Sequence, residues 1–219
     1  NNVNIRAIAQ GASERNISAV IAEKDVKKAL ITLHSRFFEK QVKNINVFIV
    51  GVGNVGGRLI EQLKQQQSYL TDQLLLKVNL AGICNSRKMV FDAEGIDLNN
   101  WEQALSVGED RTDQSWFRRI QKLNLVNSVF VDITASDKIA NTYEQYLKES
   151  IAVVACNKIA CSSEYSNYKK LKDHSRKYNA PFFFETNVGA GLPVINTLNN
   201  LVNSGDKITK IHLNSNHIS

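Results

Sequence analysis

The spacing of apolar residues divides the chain into two stretches with different repeats. Over residues 1–40, alternating apolar positions predict two short strands, and the residues after Asp25 follow helical spacing. From Asn46 onward, short continuous apolar runs alternate with amphipathic helical runs. Strands of this kind are buried on both faces of a parallel sheet. The pattern therefore predicts an α/β fold, with a doubly wound, mostly parallel Rossmann-type sheet preceded by a ββα piece.

The predicted elements suggest three segments. Predicted strands of the sheet cover residues 47–50, 74–83, 129–133, 151–155 and 181–184. Predicted helices cover residues 138–149 and 164–178, and a last helix starts near Leu192. Residues 85–125 interrupt this alternation with two helix starts, near Asp97 and Asp113. We expect a ββα piece at 1–40, an α/β domain at 41–206, and the start or remnant of another domain at 207–219.

A glycine-rich loop gives the strongest single chemical signal. It lies between an apolar strand and an amphipathic helix, and it reads Gly51-Val52-Gly53-Asn54-Val55-Gly56. In such a loop the first glycine permits the tight turn, the second lets the backbone approach a pyrophosphate, and the third lets the helix pack closely. The helix N-terminus then presents free N–H groups to the anion. The loop therefore predicts dinucleotide binding, with a glycine-rich turn without a ligand as the alternative.

The residues after the second strand bear on the choice of cofactor. NAD sites usually place an acidic residue there to bind the ribose 2′-hydroxyl group. This chain has Asn85, Ser86, Arg87 and Lys88 instead. Amide, hydroxyl and cationic groups favour the 2′-phosphate of NADP(H), whereas NAD(H) remains the alternative. Arg87 either contacts that phosphate or is an ordinary surface arginine.

Composition and charge narrow the class of protein. The chain has 219 residues, 43% of them hydrophobic, which is enough for one full domain and a further piece. Its net charge of +6 comes from lysines and arginines scattered among acids, so we expect no nucleic-acid partner. No apolar run is long enough for a membrane span. The odd number of cysteines, 3, favours reduced thiols and a cytoplasmic location.

Three further blocks follow the predicted strands and identify a family. They are Asp132-Ile133-Thr134-Ala135-Ser136, then Ala155-Cys156-Asn157-Lys158-Ile159-Ala160, then residues 185–195 from Glu185 through Gly189, Gly191 and Pro193 to Ile195. Together with the glycine loop, they resemble the sequence blocks of homoserine dehydrogenases. Residues 7–18 resemble the end of the regulatory ACT region in bifunctional aspartokinase–homoserine dehydrogenases. The resemblance reaches from the start of the chain to about Lys210. It implies a partial ACT-like regulatory segment at 1–40, an NAD(P)-binding Rossmann domain at 41–206, and the start or remnant of the substrate and dimerisation domain at 207–219.

The resemblance implies an activity and roles for named residues. The expected reaction is NADP(H)-dependent interconversion of aspartate semialdehyde and homoserine, in threonine and methionine biosynthesis. The cofactor would contact the glycine loop, residues 85–87, residues 134–136, Asn157 and Lys158. Lys158 would also be catalytic through proton transfer, and its alternative is a surface lysine after a strand. The family further implies a small-molecule substrate and a homo-oligomer.

A monovalent cation, expected to be sodium, is also implied by the family. Its ligands would be the Glu185 carboxylate and the backbone carbonyls of Val188, Ala190 and Leu192. Glycines at 189 and 191 suit a loop that turns several carbonyls inward. The alternative is a plain loop in which Glu185 caps the helix that follows.

Both ends of the chain raise further expectations. Gln10 and Asn16 either contact an amino-acid effector such as threonine or are turn residues, and we favour the turn. After Gly205 the sequence departs from the family, and the segment with its substrate-binding acids and principal catalytic lysine is absent. We therefore expect cofactor binding without activity in this chain alone. The rival hypothesis is a non-catalytic, amino-acid-sensing regulatory module with a Rossmann-type interaction domain.

Overall fold

The computed structural model describes residues 3–10, 16–38, 42–189 and 191–212. The first part is a small ββα piece. Strands β1 (Ile5–Gln10) and β2 (Ile17–Ile21) pair antiparallel in a sheet of their own, and a 3-10 turn (Glu23–Asp25) leads into helix α1 (Val26–Phe38). This confirms the predicted ββα order, while the turn between the strands lies mostly outside the described residues.

A seven-stranded sheet forms the body of the molecule. Its strands are β3 (Lys43–Val50), β4 (Leu76–Cys84), β5 (Lys88–Phe91), β6 (Glu109–Asp110), β7 (Ser128–Asp132), β8 (Ala152–Ala155) and β9 (Phe182–Phe183). They are ordered β6-β5-β4-β3-β7-β8-β9, and β3, β4, β7, β8 and β9 are mutually parallel. The chain winds outward from β3 in both directions, which confirms the predicted doubly wound Rossmann-type fold.

Helices cover both faces of this sheet. They are α2 (Asn54–Asp72), α3 (Trp101–Ser106), α4 (Asp113–Leu123), α5 (Asp137–Ala140), α6 (Tyr143–Lys148), α7 (Ile159–Ser162), α8 (Tyr165–Lys177) and α9 (Val194–Asn203). Alternate residues of β3 point to opposite faces, so Ile49 packs in the cluster under α2 and Phe48 in the cluster under α4 to α8. Both side chains are fully buried, as a central parallel strand requires.

Two predictions about elements were wrong in detail. Residues 85–125 contain the antiparallel strands β5 and β6 as well as the two predicted helices. The predicted strand at 74–83 begins later, at Leu76, because Leu75 has a φ of 52°, which belongs to a turn. The aromatic contact between Phe91 and Trp116, with ring centroids 4.6 Å apart, holds β5 against α4. That long-range contact is not visible as a local repeat.

The predicted helix at 138–149 is interrupted. It forms α5 and α6, separated by Asn141 and Thr142. Both the backbone N–H and the hydroxyl group of Thr142 donate to the carbonyl of Ile139, at 2.9 and 2.7 Å. A hydroxyl bond to a nearby carbonyl competes with the regular helical ladder. The break ends α5 after one turn and begins α6 at the buried Tyr143.

Candidate functional site

The glycine loop joins the central strand β3 to α2 at the carboxyl edge of the sheet. Gly51 has a φ of +95°, and a Cβ atom there would lie 2.6 Å from the carbonyl oxygen of Ile133. A Cβ atom on Gly56 would lie 2.1 Å from the carbonyl oxygen of Gly51. The fold itself therefore requires both glycines. Gly53 differs, because a Cβ atom there would meet nothing within 4 Å.

Gly53 lies at the start of α2. Gly53 is the N-cap of α2 and makes no side-chain capping bond, and the first helical bond runs from Gly57 N–H to the Gly53 carbonyl at 2.8 Å. Asn54 and Val55 are exposed beside it. The first N–H groups of a helix lack partners within the helix and attract anions. A loop with space at Gly53 and free N–H groups behind it fits a pyrophosphate. Val52 instead packs its side chain into the core under α2.

The turn after β4 is built around Asn85. Its Oδ1 atom accepts the N–H groups of Arg87 and Lys88, both at 2.8 Å. Lys88 pairs with Asp110 at 3.0 Å. Ser86 and Arg87 are exposed, and no acidic residue stands in the turn itself. Of the two cations predicted to meet a 2′-phosphate, Arg87 is the one whose side chain remains available.

These elements border a common cleft. A cleft of about 560 Å³ is lined by Gly51 of the glycine loop, Asn85 and Ser86 of the turn after β4, and Thr134 and Ser136 of the loop after β7. It lies where the strand order reverses between β3 and β7, which is the position at which open α/β sheets bind ligands. Three of the predicted cofactor-binding segments thus meet at one place.

The loop after β7 carries the predicted contacts at residues 134–136. Thr134 and Ser136 are half-buried, and Ala135 between them is exposed. The Oγ1 atom of Thr134 accepts the Ser136 N–H at 3.2 Å, and the Thr134 N–H donates to Oδ1 of Asp132 at 2.8 Å. The loop is therefore held by local bonds that leave the two hydroxyl groups at the edge of the cleft.

Asp132 is a site residue that was not among the predicted ones. Its side chain is fully buried, and its Oδ2 atom accepts the Tyr143 hydroxyl at 2.6 Å and the Asn157 amide at 3.0 Å. Burial and the neighbouring Asp132 carboxylate raise the pKa of Tyr143, so its hydroxyl stays protonated as a donor. A polar residue closing an apolar strand was the available sequence signal for Asp132.

Asn157 is buried and was predicted to contact the cofactor. Its amide group donates to Asp132 and to the Ser136 carbonyl at 2.9 Å, while its Oδ1 atom accepts the Ile159 N–H at 3.1 Å. Its own carbonyl accepts from Asn187 at 3.3 Å. The side chain thus bonds to the protein rather than facing the cleft. The adjacent Lys158 is exposed at the start of α7.

The predicted cation loop follows β9. Both oxygens of the Glu185 carboxylate accept N–H groups at the start of α9, from Ile195 and Asn196, each at 2.8 Å. The Leu192 carbonyl accepts from Val194 at 2.9 Å. Glu185 therefore caps α9, as the alternative hypothesis expects. Its oxygens and the Val188 carbonyl are hard donors of the type that fits an alkali cation.

The structure describes only some of the predicted cation ligands in the loop after β9. Ala190, the remaining predicted ligand, lies outside the described residues. Within the described part of the chain, no group of three or more His, Cys, Asp or Glu side chains could hold a metal ion.

Comparisons with known proteins agree with this geometry. Residues 51–185 match the model of the homoserine dehydrogenase NAD binding domain, and residues 1–37 match an ACT domain. A chloroplastic bifunctional aspartokinase/homoserine dehydrogenase 1 of Arabidopsis thaliana is 40% identical over 212 residues, covering 96% of this chain and 23% of the relative. The bifunctional enzyme of Haemophilus influenzae is 40% identical over 208 residues, covering 94% of this chain and 25% of the relative.

A solved structure extends the agreement to the fold. A hyperthermophilic archaeal homoserine dehydrogenase mutant in complex with NADPH has a TM-score of 0.59 and 26% identity, covering 74% of this chain and 50% of that one. The chain spans about a quarter of the length of the two bifunctional relatives. It belongs to the homoserine dehydrogenase family, as a stretch homologous to bifunctional aspartokinase/homoserine dehydrogenases that joins an ACT segment to the NAD-binding domain.

Proposed function

We propose that this chain forms the NADP(H)-binding part of an enzyme that interconverts aspartate semialdehyde and homoserine. The observation that carries the proposal is the open position at Gly53, in front of the uncapped start of α2. A glycine is not needed there for packing, so its lack of a side chain serves an approaching ligand. The family match and the complex of the archaeal relative with NADPH support the choice of ligand.

The residues around the cleft have separate roles in this proposal. The bound nicotinamide supplies hydride chemistry, and the protein supplies orientation and proton transfer. Backbone N–H groups at residues 53–56 hold the pyrophosphate, and the hydroxyl groups of Thr134 and Ser136 orient the nicotinamide end. Lys158, exposed at the same edge of the sheet, exchanges a proton with the substrate oxygen.

Substitution of Gly53 tests the proposed site of the pyrophosphate. Gly53→Val places a side chain in open space, so the melting temperature should hardly change while NADP⁺ binding falls below detection in calorimetry. Gly57→Ala is the matched control, since its new Cβ atom would make an ordinary contact with Trp101 at 3.6 Å. Unchanged NADP⁺ affinity in Gly53→Val would contradict the proposed pyrophosphate position.

The same titration separates the two hypotheses about function. A catalytic cofactor domain binds NADP⁺ saturably, whereas a purely regulatory module binds threonine and no dinucleotide. Binding of threonine alone would therefore favour the rival hypothesis. The ACT match supports threonine as an effector of the longer protein without making it the ligand of this cleft.

We further propose that Arg87 sets the preference for NADP(H). Arg87 is exposed in the turn after β4, and Lys88 beside it is paired with Asp110. Arg87→Gln should weaken NADP⁺ about tenfold, the size of a lost charged hydrogen bond, and leave NAD⁺ unchanged. Lys88→Gln is the control and should leave the ratio of the two affinities as it is. An equal loss of both cofactors would refute this role.

A cation at the loop after β9 is part of the proposal. We propose sodium bound by the Glu185 carboxylate and the carbonyls of Val188, Ala190 and Leu192, with Glu185 also capping α9. Melting in sodium chloride should exceed melting in choline chloride at equal ionic strength, and Glu185→Gln should remove the difference. If Glu185 acts only as a cap, the substitution lowers stability equally in both salts.

The assembly and location of the protein are also proposals. The exposed apolar residues Leu30, Leu33 and Phe37 of α1 support a homo-oligomer, which sedimentation velocity would detect. Within the described residues no helix is long and apolar enough to cross a membrane. The three cysteines, Cys84, Cys156 and Cys161, all lie in the described part of the chain and form no disulfide, which supports a reducing compartment, and we propose the cytoplasm. Cell fractionation would check this.

A further inference from the structure

We propose that Asp132 is a positioning residue that holds the nicotinamide-side loops together and leaves the adenosine side of the cleft unaffected. The loops concerned are residues 134–136 after β7 and residues 157–158 after β8. The inference rests on the proposed function, because it assigns these loops to the nicotinamide end of NADP(H).

Asp132 accepts hydrogen bonds from three donors that lie on three different elements. Oδ2 accepts the hydroxyl of Tyr143 from α6 and the amide of Asn157 from the loop after β8, and Oδ1 accepts the N–H of Thr134. Both carboxylate oxygens act as acceptors in these bonds. A buried carboxylate without such donors would be costly, so the bonds fix the donors in place.

Asn157 continues these hydrogen bonds across the carboxyl edge of the sheet. One amide group joins Asp132 to the Ser136 carbonyl, and the backbone carbonyl of Asn157 accepts from Asn187 after β9. Three loops that follow neighbouring strands are thereby connected through one buried residue, by its side chain and its backbone carbonyl. Lys158 is the next residue, so the position of its backbone depends on the same bonds.

The side chains of Asp132 and Asn157 make their hydrogen bonds to the protein and do not face the cleft. Both oxygens of Asp132 and both ends of the Asn157 amide have protein partners. Their influence on a bound dinucleotide must therefore pass through Thr134, Ser136 and Lys158. The turn at Asn85, on the adenosine side, bonds instead to Arg111 at 3.0 Å.

The inference is tested by comparing how one substitution changes the affinities for NADP⁺ and for a ligand that lacks the nicotinamide half. Asp132→Asn removes the charge and sets an amide group against at least one of the three donors. NADP⁺ affinity should fall at least about tenfold, the size of a lost charged hydrogen bond, while affinity for adenosine 2′,5′-bisphosphate stays within about twofold. Asp25→Asn, at a buried aspartate in the N-terminal piece, is the matched control and should change neither affinity.

Two outcomes of this comparison would contradict the inference. An equal loss of both ligands would mean a general structural defect, and no loss would mean no positioning role; either overturns the inference. Asn157→Ala, measured alongside, should show the same selective loss and covers the case in which Asp132→Asn does not fold. If the unchanged chain binds neither ligand, the proposed function fails, and this inference fails with it.

Discussion

At the scale of single residues, the three motif glycines of the loop after β3 are glycines for different physical reasons. Gly51 and Gly56 are required by the protein, since a side chain at either would overlap backbone atoms. Gly53 has open space around it, and the proposed function assigns that space to the ligand. The motif Gly51-Val52-Gly53-Asn54-Val55-Gly56 was predictable because its glycines are spaced along one turn, but spacing alone does not separate packing glycines from a binding glycine.

Gly51→Ala should therefore destabilise the fold as well as the site. The φ of +95° disfavours any side chain, and the new Cβ atom would lie 2.6 Å from the Ile133 oxygen. We expect a loss of about 2–3 kcal/mol in the free energy of unfolding. Urea denaturation followed by the fluorescence of the buried Trp116 measures it. Gly57→Ala should instead be neutral or slightly stabilising, and an equal loss in both variants would contradict this explanation.

Asp132 and Asn157 show where the sequence stops being informative. Asp132 ends β7 and Asn157 follows β8, so both lie near the carboxyl edge of the sheet, and Asn157 was predicted to contact the cofactor. The prediction did not include Tyr143, whose hydroxyl comes from α6 to bond Asp132 at 2.6 Å. A hydrogen bond between distant parts of the chain depends on packing, and no local repeat records it.

At the scale of elements, the parallel strands were the most predictable part of the fold. Their apolar runs are continuous because both faces are buried, and β3, β7 and β8 lie close to where the pattern placed them. The antiparallel strands β5 and β6 were missed because they have only 4 and 2 residues, too few to show a repeat. The break between α5 and α6 was missed because it depends on the hydroxyl of Thr142 bonding the Ile139 carbonyl.

The contact between α6 and α8 gives a prediction about pH. Glu144 bonds Lys148 at 2.6 Å and also Lys170, and these bonds lower its pKa from the ordinary value of 4.5 to about 2. A carboxyl group with a lowered pKa stabilises the fold above about pH 4.5 and loses that contribution as the pH falls toward 2. Glu144→Gln should therefore destabilise the protein at pH 7, and the difference from the unchanged chain should shrink below pH 4.5.

Urea denaturation between pH 3.5 and 7 measures this difference. Asp173→Asn is the matched control, because Asp173 lies on α8 with its side chain 58% exposed and only a 3.9 Å contact to Arg176. Exposed pairs of this kind contribute little, so the control should show almost no effect at any pH. A Glu144→Gln loss that stays constant with pH would mean that shape and not charge holds the two helices together.

At the scale of the whole molecule, the buried apolar core of the described residues lies in the NAD-binding domain. The two hydrophobic clusters draw their buried members from β3 onward, one on each face of the sheet. The strands β1 and β2 instead expose apolar side chains, among them Ile8 at 65% and Ile17 at 73%. A two-stranded sheet is marginal by itself, so the ββα piece depends on additional surface for its stability.

Removal of residues 1–41 should therefore leave the NAD-binding domain folded and able to bind NADP⁺. A bond that joins the two parts runs from the Asn124 amide to the Lys24 carbonyl at 3.1 Å, and one such bond contributes about 1 kcal/mol. We expect the shortened chain to unfold cooperatively, with a free energy of unfolding lowered by about that amount, and to bind NADP⁺ with unchanged affinity. Urea denaturation and calorimetric titration of both chains measure this. Loss of cooperative unfolding or of NADP⁺ binding would show instead that α1 is an integral layer of the domain, and the predicted boundary near residue 41 would be wrong.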